Sequence, residues 1–106
     1  MNKKLLDKNI MVIDVGNTNT VFALVNNQGI INKWRMSTVA HRTADEYSVW
    51  LIKLLEIEDL DFSSISDCII ATVVPEALLS LKIFNEKFLG LSPFIVGEKN
   101  VKLGIN

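Results

Sequence analysis

From Asn9 to Val15 the chain runs almost without interruption through apolar, mostly β-branched side chains. This is the pattern of a strand covered on both faces and central in its sheet. Two more strands are predicted at Thr20 to Val25 and Ile30 to Met36. Between them, Asn26-Asn27-Gln28-Gly29 offers the Asn and Gly residues that accept the positive φ angles of hairpin turns. The first three strands therefore read as an antiparallel meander. The period then changes: Tyr47, Trp50, Leu51, Leu54 and Leu55 recur three and four residues apart, on one face of a helix. Thr43 with Glu46 three positions on is a capping box that marks its start. After the polar stretch Glu56 to Asp67 comes a second buried strand pattern, Cys68 to Val74. Pro75 then stands at a first helical position. Leu78, Leu79, Leu81, Lys82, Ile83, Phe84, Phe88 and Leu89 form a second helix with Gly90 as terminator, and Pro93 to Val96 forms a short fifth strand. No repeat, low-complexity segment or linker interrupts this series.

The order is βββαβαβ. A meander followed by helical crossovers gives a mixed α/β sheet, and right-handed crossovers place the first strand in the middle beside the fourth, in the order 3-2-1-4-5. By analogy of fold this is the ribonuclease H-like core shared by actin, sugar kinases and the Hsp70 ATPase domain.

Composition narrows the partners. The 106 residues are 49% hydrophobic and 22% charged, the profile of one globular domain. Lys and Arg total 11 against 12 Asp and Glu, so there is no electrostatic footprint for nucleic acid. The single cysteine, Cys68, cannot form an internal disulfide and sits in the apolar run Cys68-Ile69-Ile70-Ala71, where it reads as a small buried hydrophobe, fitting a reducing cytoplasm. Lys3-Lys4-Leu5-Leu6 faintly resembles a signal peptide, but Asp7 and Lys8 break the apolar run and no small-residue cleavage site follows. No run approaches the ~18 apolar residues of a membrane span.

The chemistry concentrates where the first strand ends. Asp14 stands near its carboxyl end, with Gly16, Asn17, Thr18, Asn19 and Thr20 just beyond. Gly16 allows a ligand to approach the backbone closely, and the four polar residues supply side-chain and main-chain donors at one spot. Such a turn suits phosphate oxygens. A carboxylate alone would repel them, so Asp14 calls for Mg²⁺ in between, held directly or through water. The turn is neither a Walker loop, because no lysine follows the glycine, nor a Gly-x-Gly-x-x-Gly dinucleotide turn. A hairpin turn without any ligand is the competing reading of the same composition.

Asp14-Val15-Gly16-Asn17-Thr18-Asn19-Thr20 closely resembles the first phosphate motif of type III pantothenate kinases, members of the acetate and sugar kinase/Hsp70/actin superfamily also described as Baf-type transcriptional regulators. Trp34-Arg35, Thr38 and Arg42-Thr43-Ala44-Asp45-Glu46-Tyr47 resemble the family's Trp-Arg, Thr and Arg-Thr-x-Asp-Glu-Tyr segment. Ala71-Thr72-Val73-Val74-Pro75 is similar to its Ser-Ser-Val-Val-Pro, with Ala71 and Thr72 in place of the serines. The resemblance implies transfer of phosphate from ATP to pantothenate, the first step towards coenzyme A, by a cytoplasmic homodimer. It also implies a divalent metal such as Mg²⁺ and a monovalent cation, K⁺ or NH₄⁺. ATP would contact Asp14, Val15, Gly16, Asn17, Thr18, Asn19, Thr20 and Val21, with Asp14 also serving the metal. The family's Gly-Ala-Asp-Arg segment, with the catalytic base, would follow Gly104-Ile105-Asn106, where the sequence stops. Residues 1–106 are therefore expected to be an N-terminal ribonuclease H-like ATPase domain lacking its second domain, and inactive alone.

Other residues carry less. His41, the only histidine, reads as a solvated loop residue. Arg42 could reach a phosphate, pack at the helix start or meet a second subunit. Trp34 and Trp50 are expected to fill core or interface volume, and Thr72 is either a ligand contact or a structural hydroxyl. Two other functions compete: a regulatory or binding protein that keeps the fold without turnover, and a ribonuclease H-like nuclease. The nuclease needs converging carboxylates for two metals, and the fourth strand, ending Ala71-Thr72-Val73, supplies none.

Overall fold

The computed structural model describes residues 8–97. The signal-peptide comparison at Lys3 to Leu6 and the last residues, Gly104-Ile105-Asn106, lie outside them. Strands β1 (Ile10–Val15), β2 (Asn19–Asn26) and β3 (Gly29–Ser37) form the expected meander. β4 (Asp67–Thr72) pairs in parallel with β1, and β5 (Phe94–Val96) in parallel with β4, giving the order β3-β2-β1-β4-β5. That is the mixed sheet of the ribonuclease H-like core. In the β2–β3 turn Gly29 adopts φ 120°, and Asn26 Oδ1 accepts from the Gln28 amide at 2.8 Å.

Helix α1 spans Ala44–Ile57. Both halves of the capping box form: Thr43 Oγ1 accepts from the Glu46 amide at 3.1 Å, while the Thr43 amide donates to Glu46 Oε1 at 2.8 Å. Its other end closes as a Schellman motif, with Leu60 N–H on Leu55 O at 2.9 Å and Asp59 N–H on Glu56 O at 3.0 Å. Asp59 takes the left-handed φ of 60° that this motif requires. A short 3₁₀ turn, Phe62–Ser64, leads into β4.

Helix α2 spans Pro75–Phe84, with Val74 as N-cap and the proline at the first position. β4 therefore stops at Thr72 rather than reaching Val74, because Val74 has already turned out of the ladder to start the helix. The α-helical pattern also ends earlier than Leu89: Asn85–Leu89 widen into a π turn, and Gly90 at φ 68° ends it. Two apolar members of the helix, Leu79 and Ile83, face solvent at 67% and 42% exposure.

Both helices cover one face of the sheet. Met11, Ile13 and Val15 of β1, Phe22 and Leu24 of β2 and Ile70 of β4 pack there with Tyr47, Leu51 and Leu55 of α1 and Ala77, Leu81 and Phe84 of α2. Phe22 binds the layers together, with ring centroids 5.1 Å from Trp50, 6.0 Å from Tyr47 and 6.4 Å from Phe84. Trp34 is buried and Trp50 half-buried, so both fill core volume. The opposite face carries Ile10, Val12, Val21, Ala23 and Ile69, all only half-buried. β1 is central as expected, but among the described residues only one of its faces is covered.

Candidate functional site

The turn after β1 is a tight hairpin. Val15 pairs with Thr20, and the Gly16 amide donates to Asn19 O at 2.9 Å, leaving Asn17 and Thr18 at the tip. Among the described residues Asp59 is the only non-glycine with positive φ, so the tip does not adopt the primed conformation usual for two-residue hairpins. A Cβ on residue 16 would lie 3.2 Å from Asn19 O, tighter than an ordinary contact, which accounts for glycine there.

Thr38 braces the turn from β3. Its hydroxyl donates to Gly16 O at 2.8 Å and lies 2.8 Å from Thr20 Oγ1, and its amide donates to Thr18 O at 2.9 Å. On the β4 side the Val73 amide donates to Val15 O at 3.1 Å. Backbone at the hairpin base is thus fixed from both flanking strands.

The predicted phosphate-binding residues divide into two groups. Asn17, Thr18 and Asn19 are exposed, and among the described residues their side chains have no hydrogen-bond partner. Asp14 is exposed beside them at the end of β1 and makes no ion pair among the described residues. Val15 and Thr20, each 1% exposed, face the core instead. The Thr20 hydroxyl is held by Thr38, so it serves the fold and is not free for a ligand. Val21 lies on the open face, paired with Asp14. Sequence reasoning gave Thr38 no mechanical role. The signal was available, since Thr38 directly follows β3, which pairs with the strand carrying Thr20.

The neighbouring candidates are mostly occupied. Thr72 accepts from the Val74 amide at 2.8 Å and donates to Val74 O at 3.0 Å, so its hydroxyl shapes the turn into α2. It also lines a cavity of about 220 Å³ with Pro75, Leu78, Ile95, Val96 and Gly97, at the carboxyl ends of β4 and β5. Arg42 Nη2 donates to Ser37 O at 3.0 Å, tying the β3–α1 connection, while its Nε is enclosed without a partner among the described residues. His41 is exposed. Cys68 is buried, and desolvation pushes its thiol up to about 12, so it is not a nucleophile at neutral pH.

No group of three or more His, Cys, Asp or Glu residues that could hold a metal occurs among the described residues. One exposed carboxylate beside a phosphate-sized turn does fit Mg²⁺, which is commonly bound through one or two carboxylates together with substrate phosphates.

Sheet order, crossovers and a polar hairpin at the end of the central strand define an α/β domain of the ribonuclease H-like, actin-like ATPase class. A solved ROK family transcriptional regulator, a homologue of the E. coli Mlc protein, superposes with a TM-score of 0.55 at 16% identity, over 86% of this chain and 28% of that one, and so shares the fold. The chain belongs to the type III pantothenate kinase family, whose model matches residues 10–106. It is 49% identical over 96 residues to the type III pantothenate kinase of Rhizorhabdus wittichii, covering 91% of this chain and 37% of that protein. Those of Hyphomonas neptunium and Zymomonas mobilis are 38% and 41% identical, with 38% and 35% of their lengths covered. The chain thus spans little more than a third of the relatives it matches.

Proposed function

We propose that this chain is the N-terminal, ATP-phosphate-binding part of a type III pantothenate kinase, a phosphotransferase that converts ATP and pantothenate to ADP and 4'-phosphopantothenate in coenzyme A biosynthesis. The observation that carries the reading is the hairpin tip: three exposed polar side chains and Asp14, none of them with a side-chain partner among the described residues, on a backbone braced by Thr38, in a chain of that family. Asn17, Thr18 and Asn19 offer donors to phosphate oxygens, and Gly16 lets them approach the backbone. Asp14 holds the divalent cation that travels with the nucleotide, and that ion would neutralise charge on the phosphates during transfer. Thr20 and Val15 act indirectly, by fixing the backbone that presents these groups. Phosphoryl transfer relies mainly on positioning and charge stabilisation, so a rigid cradle is this part's contribution. The catalytic base and the K⁺ or NH₄⁺ site belong to the rest of the kinase, which we take to be a cytoplasmic homodimer without nucleic-acid or membrane partners.

Titrating Mg²⁺-ATP into the isotopically labelled chain tests the assignment by NMR. Amide shifts should be confined to residues 14–20, with weak affinity, and Asp14→Asn should remove the Mg²⁺ dependence. Shifts centred elsewhere, or unaltered Mg²⁺ dependence in the variant, would refute it.

A further inference from the structure

The peptide unit that joins Ser37 to Thr38 is held at both ends. Strand β3 lies at the sheet edge and stops at Ser37, opposite Asn19 of β2. One step further on, the Thr38 amide still donates to Thr18 O at the hairpin tip, at 2.9 Å. The peptide is trans, and a planar trans peptide points its N–H and its C=O in opposite directions. The Ser37 carbonyl therefore points off the sheet edge, where Arg42 Nη2 meets it at 3.0 Å. The Arg42 amide donates to Val39 O at 3.1 Å, closing the turn that brings the side chain back to β3. One rigid plane thus carries two hydrogen bonds, from a guanidinium on its outer side and to Thr18 O on its inner side.

We propose that Arg42 is a positioning residue for the hairpin tip: by holding the Ser37–Thr38 peptide from outside, it sets the angle at which the tip is presented to phosphate. The inference rests on reading that tip as the phosphate cradle of a kinase. No strand flanks β3 on its outer side among the described residues, so the guanidinium stands where a neighbouring strand would otherwise hold the carbonyl. A hydrogen bond from a cation is stronger than a neutral one, and bonds in series across one peptide polarise each other. The grip on Ser37 O therefore strengthens the Thr38 N–H as a donor to Thr18 O. Thr38 also meets Gly16 O and Thr20 Oγ1 through its hydroxyl, so a tilt of its backbone displaces three anchors of the turn together. In a site that works by positioning, such a displacement weakens the ligand's hold without any contact between Arg42 and the nucleotide.

Two substitutions and a control, followed by NMR on the labelled chain, test this. Arg42→Met keeps most of the stem without a donor, and Arg42→Lys keeps the charge without the planar fork. Thr43→Ala removes the neighbouring helix cap, lowering stability without touching the Ser37–Thr38 peptide. Hydrogen exchange of the Thr38 amide, taken relative to the β1 amides, should rise at least tenfold in Arg42→Met and at least threefold in Arg42→Lys. It should keep the wild-type value in Thr43→Ala. Where Arg42→Met fails to fold, the lysine variant alone decides. Unchanged exchange in the Arg42 variants overturns the proposal, because Arg42 then does not hold the peptide. An equal rise in Thr43→Ala also overturns it, since any loss of stability then loosens the tip. The affinity of residues 14–20 for Mg²⁺-ATP should fall at least threefold in Arg42→Lys and be kept in Thr43→Ala. Faster exchange with unaltered affinity refutes the proposal as well. A wild-type chain without Mg²⁺-ATP shifts counts against the kinase reading, and the exchange ratios then decide by themselves whether Arg42 positions the tip.

Discussion

At the scale of single residues the hairpin is held by a chain of hydroxyls, from Thr20 through Thr38 to Gly16 O. Removing Thr38 leaves the buried Thr20 hydroxyl and the Gly16 carbonyl without that partner, which costs more than the net value of the bonds. Thr38→Val should destabilise the fold by about 1–3 kcal/mol. Thr20→Val combined with Thr38→Val should cost less than the two single changes added together, because the second deletion removes a group already orphaned. Urea midpoints of the four proteins measure this, and strict additivity would show that the hydroxyls do not act as a unit. The same residues show what the sequence reveals about a site. Asp14, Asn17, Thr18 and Asn19 could be picked out as a polar cluster after an apolar strand, and they are exposed together. Thr20 looked equivalent to them by composition, yet it shares its sheet face with Phe22 and Leu24 and is buried with them. The strand's two-residue period carried that information, and the cluster's composition obscured it. Arg42 was undecidable from the sequence because its partner, Ser37 O, is a backbone atom contributed by the chain's path.

At the scale of elements, helix α1 was legible at its start and obscure at its end for a physical reason. Its N-terminus is written in side chains, Thr43 and Glu46, and both capping bonds form. Its C-terminus is a Schellman motif whose left-handed position is filled by Asp59 instead of glycine, so no residue type announces it. Helix α2 likewise begins at a readable proline, but its π turn at Asn85–Leu89 has no comparable marker at its start. Asn85 is fully buried and donates from Nδ2 to Leu81 O at 3.0 Å. Thr43→Ala should lower stability by about 1 kcal/mol through loss of the cap, and an unshifted urea midpoint would refute the cap's contribution. The contact between β4 and the π turn gives a pH signature. Burial, partly offset by a hydrogen bond from Asn85, raises the Cys68 thiol from 9.0 to about 12. The folded state therefore keeps a proton that the unfolded chain releases, so this contribution is complete below pH 9 and is lost as the pH rises towards 12. Tyr47, also raised from 10.0 mainly by burial, acts in the same sense at higher pH. Between pH 9 and 10 stability should fall with a slope of at most ~1.4 kcal/mol per pH unit, and Cys68→Ala should flatten it. An unchanged slope in the variant would place the titration elsewhere.

At the scale of the whole molecule, the sheet order could be derived because crossover handedness leaves few choices for a βββαβαβ chain. That the described residues cover just one face of the sheet could not, because the apolar residues of the second face read as buried whatever covers them. The share of its relatives that the chain spans sets the last expectation: under the proposed function these 106 residues alone should bind ATP weakly and should not phosphorylate pantothenate. In the superfamily that the chain resembles, nucleotide and substrate lie in a cleft between two domains, of which the hairpin, under the proposed function, would supply one wall. With that wall alone, the phosphates would stay largely in water, where screening reduces each charge-assisted contact to a small net gain. Orientation is lost as well, since nothing holds the pantothenate hydroxyl against the γ-phosphate, and orientation is where most of the rate enhancement would arise. The check is an assay for phosphopantothenate with the purified chain, ATP, Mg²⁺, K⁺ and pantothenate. Signal should match the no-protein control. Robust turnover from this chain alone would mean that the base lies within it, and the division of labour between the two parts would have to be abandoned.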